Sequence, residues 1–332
     1  MRMKMNRMHL FSIVGAIVFL MSSTIPVLAS KTEKMKPNPE RGGFDMAPGS
    51  FGVEVNAGDT FKQTIQVTNW SGKTSRFKVE VEDFEGSKTV DNSGVVLQGA
   101  NPGRFSARDW VKPEFWEFSM DREDRMWFDV EVTVPKNADS GDHYASVLVT
   151  MLADPVKDDQ KTDKKQSNVA IQSRVGVLMF LRVRGPIKES GELQSFAVWK
   201  KWYEKTPVDF TSVFKNDGTV RLKPEGKIEI KNWFGNVVET IPVETYNVLR
   251  DSVRAMNYHW EKKGFHIGKY TAVLSLNRGY ENAVDVKVVT FWMIPWKQIL
   301  ITLLILLVVY KTLRFVGSKF EVRRKPRGDG KE

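Results

Sequence analysis

The stretch FKQTIQVTNWSGKTSRFKVEVE, Phe61 to Glu82, sets the reading of the whole chain. Phe61, Ile65 and Val67 alternate with Lys62, Thr64 and Gln66. After Trp70-Ser71-Gly72-Lys73, Phe77, Val79 and Val81 alternate with Lys78, Glu80 and Glu82. Successive side chains of a strand point to opposite faces, so this period of two marks half-buried strands. Two such runs on either side of a short turn predict a β-hairpin.

The same pattern extends in both directions. Met126, Phe128, Val130, Val132 and Val134 alternate with Trp127, Asp129, Glu131 and Thr133. Pro135 ends that run, because proline cannot donate to a strand ladder. Tyr144 to Leu152 and Val169 to Val183 read as two further long strands. Between them, Asp154 to Asn168 is rich in Asp and Lys and lacks apolar periodicity, as a solvated hairpin loop would. Gly185-Pro186 marks a boundary. Strand signals then recur at Leu193–Val198, Val208–Lys215, Lys227–Lys231, Val237–Val243, Ala255–Glu261, Tyr270–Leu276 and Val284–Val289. Short strands at this spacing, with Asn216-Asp217-Gly218 and Gly235-Asn236 as turns, predict an immunoglobulin-like sandwich. The expected fold class is therefore all-β, with two tandem immunoglobulin-like β-sandwiches over 49–185 and 186–290. Residues 30–48, with Lys31, Lys34, Pro37, Pro39, Gly42 and Gly43, read as a flexible lead-in.

The two ends of the 332-residue chain carry membrane signals. Arg2, Lys4 and Arg7 precede an apolar run from Leu10 to Leu20, and Val27-Leu28-Ala29 comes after it. This is the pattern of a signal peptide over 1–29, cleaved after Ala29; the other reading is an uncleaved anchor, and either one exports the segment beginning at Ser30. Near the other end, Ile299 to Val309 is apolar except for Thr302. With its flanks it reaches the ~20 residues a bilayer core of about 30 Å requires, if Lys297 snorkels to the interface. The expected transmembrane helix is 291–311, with Trp292 and Trp296 as interfacial aromatics. From Lys311 to Glu332, eight Lys or Arg stand against three acidic residues, leaving +5. Lys/Arg-rich flanks face the cytoplasm, so 312–332 is expected inside and the sandwiches outside, on a single-pass cell-membrane protein. The net charge of +10 is then largely topogenic, and nucleic-acid binding is not expected.

Chemistry is sparse. The chain has no cysteine, which excludes disulfides, thiolate metal sites and cysteine nucleophiles. His9, His143, His259 and His266 are scattered, and no HExxH, Walker loop, GxGxxG or GxSxG occurs. No catalytic residue, metal or cofactor is expected, and the protein is read as a non-enzyme. Aromatics are the richer signal. Trp199, Trp202 and Tyr203 stand among Lys200, Lys201 and Lys205, and Trp110, Phe115, Trp116 and Phe118 cluster in the first domain. Such groups either fill a core or inter-domain seam, or present a surface for a sugar or protein partner.

Pro135-Lys136-Asn137-Ala138-Asp139-Ser140-Gly141-Asp142-His143-Tyr144, continuing into an alternating strand, resembles WxL-interacting proteins of Gram-positive bacteria. That resemblance is one of layout over almost the whole chain, and it implies binding to an envelope protein or wall glycan. Val169-Ala170-Ile171-Gln172-Ser173-Arg174-Val175 resembles the strand by which periplasmic pilus chaperones complete a subunit. The lysine that comes next in those chaperones is Gly176 here, and they lack a membrane anchor. The expected function is a non-catalytic, membrane-anchored binding protein for an envelope partner. The alternative is an anchored assembly factor acting by β-strand addition. The residues expected to contact a partner are Trp199, Trp202, Tyr203, Val169, Ile171 and Val175.

Overall fold

A computed structural model describes residues 31–38, 40–90, 94–153 and 173–319. The expected signal peptide, the 154–168 loop, Val169, Ile171 and the tail beyond 319 lie outside these residues. The first domain contains β1 (Thr32–Lys34), β2 (Phe44–Ala47), β3 (Ser50–Val55), β4 (Thr60–Asn69), β5 (Ser75–Glu82), β6 (Phe84–Gly86), β7 (Val95–Leu97), β8 (Val111–Pro113), β9 (Glu117–Met120), β10 (Asp124–Thr133), β11 (Gly141–Met151) and β12 (Arg174–Val183). The second contains β13 (Gly191–Val198), β14 (Trp202–Tyr203), β15 (Val208–Asn216), β16 (Glu225–Lys231), β17 (Val237–Val243), β18 (Ser252–Trp260), β19 (Gly268–Asn277) and β20 (Val284–Met293). The helix α1 (Trp296–Lys319) comes last.

Each domain is a two-sheet sandwich of immunoglobulin-like type. In the first, the order β1-β10-β4-β2, with β8 also on β10, faces the order β3-β12-β11-β5-β9. In the second, β13-β15-β18 faces β14-β20-β19-β16-β17. The alternating residues supply the cores. Ile65, Val67, Phe77, Val79, Phe128, Val130, Val147 and Leu181 are buried together in the first domain. Phe210, Ile228, Ile230, Trp260, Leu274 and Phe291 are buried together in the second. Among the described residues the expected all-β fold forms, with one α-helix after the last strand.

The expected hairpin between Phe61 and Glu82 does not form. β4 pairs with β10 and β2, whereas β5 pairs with β11 and β9. Trp70–Thr74 therefore carries the chain from one sheet across to the other. Buried Asn69 explains this local geometry. Its amide nitrogen donates to the carbonyls of Lys73 (2.9 Å), Met120 (3.2 Å) and Asp121 (3.0 Å). Its oxygen accepts from the Ser71 N–H (3.0 Å) and hydroxyl (2.6 Å). Those bonds tie the Lys73 carbonyl of the crossing to the end of β9, and so hold the connection between the sheets.

The second domain repeats the device. Asn216, buried at the end of β15, donates to the carbonyls of Val220 (2.8 Å) and Val248 (2.9 Å) and accepts from the Gly218 N–H (2.8 Å). The two domains thus share a structural plug built on one buried asparagine at the end of a strand. Replacing Asn216 with alanine should cost the second domain about 2–3 kcal/mol, because buried backbone groups lose their partners. A denaturant titration reads this as a lower midpoint at unchanged slope.

The described part of the expected 30–48 lead-in is not free. β1 pairs with β10 and β2 with β4, and Phe44 is buried edge-on to Phe77 at 5.3 Å. Two short strands carry too little periodicity to stand out among prolines and glycines. Between β2 and β3 the chain changes sheets at Pro48, which has no N–H to extend the first ladder. β3 then runs parallel to β12.

The helix also starts later than expected. Phe291 and Met293 are buried strand residues of β20, and α1 begins at Trp296, after Pro295. Trp296–Val316 is long and apolar enough to cross a membrane, with a mean hydropathy of 2.3.

Candidate functional site

Three surfaces bear on binding. The first is the edge of β12. Its register with β11 runs from Arg174 to Val183, whereas β3 flanks it from Leu178 to Val183. The segment from Leu178 onward is thus held on both sides, which removes it as an edge. Among the described residues, no strand lies on the other side of Arg174 to Val177. The Met151 N–H donates to the Ser173 carbonyl (3.0 Å), and antiparallel pairs alternate, so Arg174 and Gly176 turn their backbone groups away from β11. Two residues on, the Leu178 N–H faces the same way and donates to Gly49 (3.2 Å). Val175 is half-buried against the first core. The Arg174 guanidinium pairs with Glu80 (3.2 Å) and Glu82 on β5.

The second surface is the seam between the domains. Asp142, buried on β11, accepts from Arg182 Nε (2.8 Å) and from the backbone N–H of Arg221 in the second domain (2.7 Å). The Tyr144 hydroxyl accepts from the Arg250 N–H (3.0 Å), and burial pushes it far above its ordinary pKa. Phe84, Tyr144, Phe180 and Leu249 form a small shared core, and the Arg221 guanidinium covers the Phe180 ring at 4.5 Å. Lys88 (2.8 Å) and Arg104 of the first domain both reach Asp251 of the second. The Lys88 hydrogen bond, helped by the charge of Arg104, holds the Asp251 carboxyl below its ordinary 3.8. These contacts fix the two sandwiches against each other. Beside them a cleft lined by Glu54, Arg182, Glu189, Arg221 and Lys223 holds mixed charge.

The third surface is the far end of the second domain. Trp199 is 66% exposed and its indole donates to Thr211 Oγ1 (2.9 Å). Trp202 is 63% exposed and stacks on Trp292 at 6.2 Å. Tyr203 is half-buried, edge-on to Phe291 at 6.0 Å, and accepts from the Lys200 N–H (3.1 Å). Trp199 and Trp202 are therefore surface groups and do not fill a core or seam. In the first domain Trp110, Phe115 and Phe118 pack against the core, while Trp116 is exposed. Sequence reading missed further exposed groups at the same end of the second domain as Trp199. These are Trp233 and Phe234 in the β16–β17 turn, and Phe265 in the β18–β19 loop. The signal was present: large apolar residues beside Gly235 and Gly264, where turn chemistry alone needs none.

Each histidine in the described residues has a local partner. His143 contacts the carbonyls of Asp139 and Ser106 and lies on the Trp110 ring. His259 bonds Asp209 (2.6 Å), and His266 packs on Trp260.

No protein-family model and no curated protein matches the chain. Solved structures that align with it include a class 5 fimbriae chaperone, CfaA, at 10% identity and TM-score 0.37 over 74% of this chain and 98% of that one. A CsuC–CsuE chaperone–tip adhesion subunit complex from Acinetobacter baumannii aligns at 12% identity and TM-score 0.35 over 75% and 98%. The E. coli chaperone DraB aligns at 11% identity and TM-score 0.35 over 76% and 97%. These neighbours are chaperones, and none carries the resemblance to WxL-interacting proteins.

Proposed function

We propose that this chain is a non-catalytic, membrane-anchored binding protein. Its paired sandwiches stand outside the cytoplasm and engage an envelope protein through β-strand addition at the first domain. The observation that carries this reading is the open side of β12 from Arg174 to Val177. Backbone donors and acceptors that face no strand among the described residues, beside a partly buried apolar row, are a template for a strand from another chain. The fixed seam supports it, since an edge held rigidly relative to the anchor loses less entropy on binding. α1 supplies the anchor, and the Lys/Arg-rich segment after it sets the orientation.

The test separates backbone from side chain. Arg174→Pro removes an outward N–H, while Arg174→Ala removes only the pairing with Glu80 and Glu82. Full-length protein carrying each change is used to capture partners from detergent-solubilised envelope. Loss of the captured protein with proline and retention with alanine is expected. Equal retention by both would remove the edge as the binding element.

A further inference from the structure

The four connections at the α1 end of the second domain share one composition. β20 ends at Met293, whose register partner is Gly268 at the start of β19. Lys231 at the end of β16 pairs with Thr271, so the turn holding Trp233 and Phe234 projects from this end. A Cβ built on Gly268 would lie 3.8 Å from the Trp233 ring. In the other sheet, Val208 pairs with Trp260, and the Trp260 ring meets Phe291 at 5.8 Å. This places the loop of Phe265 and Ile267, and the segment from Trp199 to Lys205, at the same end. The first domain occupies the opposite end, through Asp142 and Arg221.

The exposed groups here are large. Trp233 is 69%, Phe234 82% and Phe265 65% exposed, and Trp199, Trp202, Ile267 and Trp296 are open as well. Lys200, Lys201, Lys205, Lys262, Lys263 and Lys297 accompany them, against Glu204, Glu239 and Glu261, with Lys262 paired to Glu239 (3.5 Å). An isolated apolar patch does not name its occupant. Here the position of α1 does. Only Ile294 and Pro295 separate the last strand from the helix. The junction is also pinned: the Trp292 N–H donates to Lys201 (2.9 Å), the Ile294 N–H donates to Tyr203 (2.7 Å), and Lys297 pairs with Glu204 (3.0 Å). A helix entering a bilayer at Trp296 therefore brings these loops to headgroup depth.

We infer that this end of the second domain docks on the bilayer itself. Its aromatic loop tips enter the headgroup region and its lysines pair with anionic lipid. Tryptophan and phenylalanine gain most at that boundary, and lysines near an anionic surface contribute about 1 kcal/mol each. The sandwiches then stand at a fixed height and tilt, and do not swing on a tether. This inference rests on the reading of α1 as a membrane span.

The absence of cysteine allows single-site labelling. Full-length Phe234→Cys, Phe265→Cys, Glu244→Cys and Leu306→Cys are each labelled with an environment-sensitive fluorophore. They are reconstituted in vesicles of phosphatidylcholine and phosphatidylglycerol. Glu244 comes directly after β17, at the end away from the turn of Phe234, so it reports the remote side. Labels at 234, 265 and 306 should be quenched by a lipid-borne nitroxide, and the label at 244 only by aqueous iodide. Reversing Lys200 or Lys201 to glutamate should lower the docked-to-free ratio by at least roughly fivefold per lysine. Lipid quenching at 306 with 234 and 265 behaving like 244 would overturn docking and leave the anchor standing. Absence of lipid quenching at 306 would overturn the anchor and docking together. Shielding of 234 from both quenchers would mean that protein covers this end, which also overturns the inference.

Discussion

Trp260→Ala is expected to cost the second domain about 3–5 kcal/mol, the range for emptying a large buried aromatic site. Trp260 ends β18, is almost completely buried, and is the largest fully buried side chain. It meets Tyr270 at 5.3 Å, His266 at 5.2 Å and Phe291 at 5.8 Å, so it joins both sheets to the loop beside α1. The cavity cannot collapse easily, because its walls are strands held by ladder hydrogen bonds. With the two sandwiches coupled across the seam each kilocalorie is worth roughly 2–4 °C, so the transition should fall by ~6–20 °C in a calorimetric scan. Trp260→Phe should cost far less. It keeps most of the ring and removes an indole Nε1 that finds no hydrogen-bond partner among the described residues. A loss below ~1 kcal/mol for the alanine variant would show that the sheets repack without this residue.

The second large effect is expected at Asp142. Its carboxylate is buried and binds both Arg182 and the Arg221 N–H, so it ties β11 and β12 to the other domain. Asp142→Ala leaves both donors without their acceptor. Breaking a buried, charge-assisted cluster from one side costs about 2–4 kcal/mol, discounted here because Arg182 is partly exposed. The distinctive readout is uncoupling. The two sandwiches should unfold in separate transitions, and the segment between Val183 and Gly191 should become open to protease. A single transition at unchanged midpoint would show that the apolar contacts of Phe84, Tyr144, Phe180 and Leu249 hold the seam alone. Acidification tests the neighbouring pair. The folded pKa of Asp251 is lowered, so its contribution is complete above the ordinary 3.8 and is lost as pH falls through the lower folded value. Inter-domain coupling through Asp251 should therefore persist at about pH 5 and fade only below about 4.

Both variants act on features that differ in how plainly they stand in the sequence. All seven strands expected in the second domain form, because β16, β19 and their neighbours alternate apolar and polar residues cleanly. Trp260 belonged to that pattern, but its size and position gave no hint that it links three elements. Asp142 carried no signal, since a buried aspartate looks like a surface one until its donors are placed. The aromatic end shows the same limit. Trp199, Trp202, Trp233 and Phe265 lie far apart along the chain, and only the strand ladders bring their loops to one end.

The features determined by sequence alone are therefore periodic or contiguous. The strand period set the all-β class and both sandwiches, and the run from Ile299 to Val309, apolar except for Thr302, set a helix able to cross a bilayer. Tertiary structure decided which strands pair. Phe61–Glu82 supplies two well-patterned strands, yet they go to opposite sheets, and Asn69 braces the crossing between the Lys73 carbonyl and the end of β9. The period of two states which face is buried and is silent on which strand lies alongside. Pairing is set by long-range ladders and buried polar plugs, and it leaves Arg174–Val177 open on one side and gathers the aromatic loops around the start of α1.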